Sequence, residues 1–196
     1  MYDYIKGSIT ELNPTEVVVE TNNIGYKILI SLQTYSKLKS GSDVKLFIYH
    51  HLREDIELLF GFFDKEERFI FCLLLEVSGI GPNTARMMLS SMSSEEIRNA
   101  IISGDINKLK SIKGIGLKTA QRMLIELKDK IVKSGNLGGT STFITSANST
   151  QREEATTALV LLGFSRVNVD KVIDSLLKES PAYKLEELIK LALKRL

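Results

Sequence analysis

Residues 74–89, LLEVSGIGPNTARMML, return 35 positions later as residues 109–124, LKSIKGIGLKTAQRML. The two copies share Gly79-Ile80-Gly81 with Gly114-Ile115-Gly116, Thr84-Ala85 with Thr119-Ala120, and the apolar positions around them. Each copy reads as the apolar end of one helix, a tight glycine turn, and a second helix. The glycines permit positive φ and keep side chains out of the space between backbone and ligand. The start of the following helix offers unpaired N–H groups and the positive end of the helix dipole. An anion, phosphate above all, suits such a site.

Other glycine motifs fail on their neighbours. A dinucleotide fingerprint needs a third glycine, where Thr84 and Thr119 stand, and a preceding strand, where residues 69–77 read as helix. A P-loop needs glycine directly before Lys-Ser/Thr, and Leu117 separates Gly116 from Lys118-Thr119. The surviving pattern is a pair of helix–hairpin–helix motifs that grip a sugar–phosphate backbone without reading bases. Gly79, Gly81, Asn83, Thr84 and Arg86 are its candidate contacts in the first copy, and Gly114, Gly116, Lys118, Thr119 and Arg122 in the second. Lys118 and Arg122, four apart, share a helix face.

Composition agrees. Hydrophobic content of 43% and charged content of 26% over 196 residues belong to a soluble globular protein of one to three domains. No apolar run is long enough for a membrane span, and residues 1–4 begin no secretory signal, so a cytoplasmic location is expected. One cysteine, Cys72, and two histidines point away from disulfides and structural zinc. Net charge is only +2, but residues 64–134 carry 12 basic against 9 acidic side chains, while residues 1–63 carry 6 against 8. The basic excess falls where phosphate is expected.

Upstream, residues 4–10, 16–21, 25–30, 43–52 and 56–62 are rich in β-branched and aromatic residues and are separated by turn signals, among them Asn22-Asn23. A short helix-capable stretch, 32–39, follows the third strand. That is the order of an OB-fold β-barrel. Arg53-Glu54-Asp55 then forms a polar hairpin tip. His50 and His51 beside it do not make a metal site, because adjacent strand residues face opposite ways.

Downstream of the barrel, Asp64 and Glu67 have the spacing of a capping box, as do Ser93 and Glu96. A helix over 117–132 follows the second hairpin. Residues 135–149 are uncharged and rich in Gly, Ser, Thr and Asn, the composition of a flexible linker. Residues 151–162, 167–178 and 185–196 read as three amphipathic helices, a small bundle suited to binding protein. The fold class is multidomain α+β: barrel (1–63), tandem helix–hairpin–helix domain (64–134), linker (135–149) and three-helix, UBA-like bundle (150–196).

This order of parts, with Gly25-Tyr26, Arg53-Glu54-Asp55 before Leu59-Phe60-Gly61-Phe62, the two hairpins, and Leu162-Gly163-Phe164, resembles the RuvA family of Holliday-junction-binding subunits over essentially the whole chain. The resemblance implies a homotetramer that holds an open four-way junction, alone or as a double tetramer, with two hairpins per subunit on one arm. It implies that Glu54 and Asp55 are an acidic pin at the junction centre. There, carboxylates beside phosphates disfavour linear duplex and keep crossing strands apart. It further implies that the terminal bundle, through Leu161, Leu162 and Phe164, docks the RuvB AAA+ ATPase, and that the RuvC resolvase joins a larger complex in recombination and DNA repair. The resemblance implies a basic residue in many relatives at the position of Asn83, so the first hairpin is expected to rely more on backbone amides.

The rival reading is an enzyme, a helix–hairpin–helix glycosylase or lyase. Such enzymes place an activated Lys or an Asp shortly after the hairpin. Lys118 is available, but the uncharged stretch after Lys133 supplies no Asp, and one cysteine cannot hold an iron–sulfur cluster. No ATP site, metal cluster or nucleophile–base pair is legible, so the expectation is a DNA-binding subunit without catalytic, cofactor or metal residues.

Overall fold

The computed structural model describes residues 1–138, 147–180 and 183–196. Five strands, β1 (Tyr4–Asn13), β2 (Glu16–Thr21), β3 (Ile24–Ile30), β4 (Asp43–Leu52) and β5 (Glu57–Phe62), close in the order β1-β2-β3-β5-β4. Alternation explains the closure: Ile5, Ile9, Val17, Val19, Ile28, Ile30, Val44, Leu46 and Ile48 point inward and are buried together. Asn22 and Asn23 take positive φ, 50° and 62°, in the two-residue turn from β2 to β3. The ring is completed where β3 runs parallel to β5, Ile30 opposite Gly61. A Cβ at Gly61 would lie 2.5 Å from the Ile28 side chain, so this joint requires glycine. The helix after β3 is shorter than expected, α1 (Leu32–Tyr35), and Ser31 caps it by accepting from the Thr34 amide at 3.0 Å.

The helices that follow are α2 (Lys65–Leu75), α3 (Pro82–Ser91), α4 (Ser94–Ser103), α5 (Ile106–Lys110) and α6 (Leu117–Gly138). The sequence repeat becomes a packing repeat. Leu74, Val77, Ile80, Ala85 and Met88 are buried in the same core as Leu109, Ile112, Ile115, Ala120 and Met123. Phe60 and Phe62 of β5 also enter this core, and the Phe71 ring of α2 lies 5.3 and 4.8 Å from theirs. Barrel and hairpin helices therefore form one compact unit, Met1–Gly139.

The capping box at Ser93 and Glu96 is formed in full. The one expected at Asp64 is only half formed. Asp64 accepts from the Glu67 amide at 2.8 Å, but the Glu67 carboxylate turns away from the cap into the barrel side. There it is fully buried and accepts hydrogen bonds from the Ser31 hydroxyl and from the Thr34 hydroxyl at 2.7 Å. Two hydroxyl donors from the barrel outcompete the local cap.

The second unit holds α7 (Ala147–Leu161), α8 (Arg166–Glu179) and α9 (Leu185–Leu193) around Ala155, Leu159, Val169, Ile173, Leu176, Leu188 and Ala192. Arg152 joins α7 to α8 through Asp174 at 2.8 Å and Asp170 at 3.5 Å. Of the linker expected over 135–149, residues 139–146 lie outside the described residues; α6 runs into it as far as Gly138 and α7 begins at Ala147.

Candidate nucleic-acid interface

The two hairpins have the same backbone construction. Ile80 N–H donates to the Val77 carbonyl at 3.0 Å, and Ile115 N–H to Ile112 at 3.1 Å. Gly79 and Gly114 occupy the left-handed region, φ +96° and +88°. The carbonyls of Gly81 and Gly116 accept the first helical bonds, from Ala85 at 2.9 Å and Ala120 at 3.0 Å. The isoleucine of each G-I-G plugs the core, which leaves both flanking glycines exposed.

The second glycine of each pair has no internal reason to be glycine. Gly81 has φ −95°, open to any residue, and Gly116 also lies outside the left-handed region. A Cβ at either would meet nothing within 4 Å. The space in front of them is solvent. Into that space face the first amides of α3 and α6: Pro82 has no N–H, and the amides of Asn83, Thr84, Lys118 and Thr119 have no hydrogen-bond partner among the described residues. The Gly81 cap adds no side-chain hydrogen bond. Two helix N-termini with unpaired donors and cleared approaches are suited to two anions.

Side chains make the two sites unequal. Around the second hairpin Lys110, Lys113, Lys118 and Arg122 are exposed and have no ion-pair partner among the described residues. The corresponding residues of the first copy are Leu75, Ser78, Asn83 and Met87. Lys110 and Lys113 escaped the sequence reading because they precede the glycine pair, whereas the candidates were drawn from the glycines and the helix after them. The one cation of α3, Arg86, does not join them. Its guanidinium is half-buried against the barrel and donates to the Thr15 carbonyl at 2.9 Å, and burial lowers its pKa. The first hairpin thus presents amides alone, and the second amides plus four cations.

The acidic residues stand apart from both. Arg53 N–H donates to the Ile56 carbonyl at 2.8 Å and closes the β4–β5 turn, with Glu54 and Asp55 exposed at its tip. Among the described residues neither carboxylate has an ion-pair partner. The neighbouring histidines diverge: His50 lies 3.0 Å from Glu57, while His51 stacks beside Tyr49 and meets Phe60 edge-on.

In the second unit Leu161 and Leu162 are 82% and 61% exposed at the end of α7. Phe164 is half-buried and packs on the bundle core instead. Val167, 65% exposed at the start of α8, is a further exposed apolar residue, one the sequence offered no signal for beyond its helical spacing.

Comparison with known proteins covers the whole chain. The RuvA N terminal domain family matches residues 1–61, the SAM-like Helix-hairpin-helix tandem family residues 71–129, and the RuvA, C-terminal domain family residues 150–196. The chain is 48% identical over 202 residues to the Holliday junction branch migration complex subunit RuvA of Bacteroides fragilis, with all of both chains covered. The corresponding subunits of Bacteroides thetaiotaomicron and Christiangramia forsetii are 48% and 46% identical, again over the full length of both chains.

Proposed function

The chain belongs to the RuvA family, and on that premise we propose how its parts divide the work of a structure-specific, sequence-independent Holliday junction-binding subunit. Gly79, Gly81, Asn83 and Thr84 hold one phosphate group through backbone amides. Gly114, Gly116, Lys118 and Thr119 hold a second, helped by Arg122 and Lys113. Glu54 and Asp55 stand at the junction centre and repel phosphate there. The fourfold arrangement needed to surround a junction is a homotetramer. The subunit itself is non-catalytic and works in the cytoplasm. Leu161 and Leu162 dock the RuvB motor, whose ATP hydrolysis drives branch migration, and RuvC acts on the same assembly. A glycosylase or lyase reading finds no support in relatives that match the full chain.

The observation that carries this reading is the duplicated turn whose second glycine faces open space. The test uses Gly116→Asp and Gly116→Asn. Asp and Asn are equally good N-caps, so both variants keep the fold. The Asp variant places a negative charge where phosphate belongs and loses DNA binding by at least about tenfold relative to the Asn variant. Equal binding by the two would remove phosphate from this site.

A further inference from the structure

The barrel and α3 do not meet in continuous packing. Between them runs a groove of about 470 Å³, with Thr15, Ile30 and Leu32 on the barrel side and Thr84, Met87 and Ser90 on the helix side. Two hydrogen bonds span this division. Arg86 of α3 donates to the Thr15 carbonyl in the β1–β2 turn, 71 residues away, and the Leu32 amide of α1 donates to the Ser90 hydroxyl at 3.1 Å. By contrast α2 is welded to the barrel by the Phe71 rings, by Glu67 and by Arg68, which reaches Asp3 at 2.7 Å. The helix that begins at the first glycine hairpin buries Ala85 and Met88 in the shared core, while across the groove it meets the barrel through discrete polar tethers.

We propose that Arg86 is a positioning residue for junction recognition: it fixes the first hairpin at a set distance from the acidic tip and contacts no phosphate itself. A half-buried guanidinium costs solvation, which a carbonyl acceptor offsets where water does not. The carbonyl holds the group in place, and the charge is withheld from the DNA face. Junction preference needs attraction at the hairpins and repulsion at the tip to act at a fixed separation. Linear duplex engages the hairpins without that requirement. Loosening the tether therefore costs preference rather than general affinity. This inference rests on the hairpin and tip assignments proposed above.

The test measures binding of the full-length protein to a synthetic four-way junction and to a linear duplex of matched arm sequence, across a salt series. Arg86→Met removes the donor at similar length, Arg86→Lys keeps one, and Ser90→Ala removes the second tether. The expected result is a loss of junction-over-duplex preference of roughly tenfold in Arg86→Met, the scale of one charge-assisted hydrogen bond. Arg86→Lys recovers most of it, Ser90→Ala shifts preference in the same direction, and the salt slope for duplex stays at the wild-type value. Equal loss for both DNAs, with a slope smaller by about 0.9, makes Arg86 a phosphate ligand and overturns the proposal. Unchanged preference in Ser90→Ala overturns it even if Arg86→Met melts before it can be assayed. Glu54→Gln/Asp55→Gln runs alongside: preference lost there but intact in the Arg86 variants sinks the tether alone, and the reverse pattern sinks the tip assignment and with it the role of Arg86 as a spacer from the tip.

Discussion

At residue 83 the first hairpin carries Asn where the second carries Lys118, and the same exchange recurs at Ser78 for Lys113 and Met87 for Arg122. Charged contacts release counterions from DNA, whereas neutral amides do not. On the proposed phosphate contacts, the salt dependence of binding belongs to the second hairpin. Lys118→Gln/Arg122→Gln is predicted to shrink the slope of log affinity against log salt by about 1.8 per subunit, while Asn83→Lys steepens it by about 0.9. Fluorescence anisotropy on one labelled duplex across a salt series checks both; an unchanged slope in the double variant would place these side chains off the phosphates. Glycine turns are legible in a sequence because few residues replace glycine at positive φ. The fate of an arginine is not. Lys118, Arg122 and Arg86 look alike on a helix map, and only Thr15, distant in sequence, holds one of them against the barrel.

At the scale of elements, local signals predict the structure where no distant residue competes for the groups involved. Strand alternation, the Asn22-Asn23 turn and the Ser93–Glu96 box all depend on near neighbours. Glu67 shows where that kind of reading ends. Its spacing from Asp64 predicts a reciprocal cap, but Ser31 and Thr34, 36 and 33 residues away, take the carboxylate into the joint between barrel and α2. Burial pushes its pKa up, against the two hydroxyl donors that favour the charged form. A raised carboxyl pKa in the folded state gives stability that is complete below the unfolded value and is lost as pH rises through the folded one. Glu67→Gln is neutral throughout, so its stability relative to wild type is predicted to increase as pH rises above the ordinary glutamate range. Urea midpoints of both proteins at each pH decide this. A difference independent of pH would mean that Glu67 keeps its ordinary pKa in the fold.

For the whole molecule, the two compact units imply two separable activities. The first unit holds the hairpins and the acidic tip; the second exposes Leu161 and Leu162 at the end of α7. Leu161→Ser/Leu162→Ser removes no core contact of comparable burial, so the bundle folds, junction binding stays at the wild-type level, and stimulation of the RuvB ATPase falls at least about tenfold, as expected when exposed anchors at a docking surface are lost. Retained stimulation would move the docking surface elsewhere. The order of parts was legible because each has its own periodicity: alternation for the barrel, a 35-residue echo for the hairpins, amphipathic spacing for the bundle. How barrel and hairpin helices join was not, since Phe60, Phe62 and Phe71 read equally well as separate cores.

The proposed selection of a four-way junction joins attraction at two glycine hairpins to repulsion at one acidic tip. Its most direct test is gel-shift binding of wild type and Glu54→Gln/Asp55→Gln to a synthetic four-way junction and a matched linear duplex at several salt concentrations. Strong junction preference is expected in wild type and, in the variant, a gain in duplex affinity that narrows that preference at low salt and fades as salt screens the charges. Equal affinity of wild type for both DNAs, or a variant as selective as wild type, would contradict it.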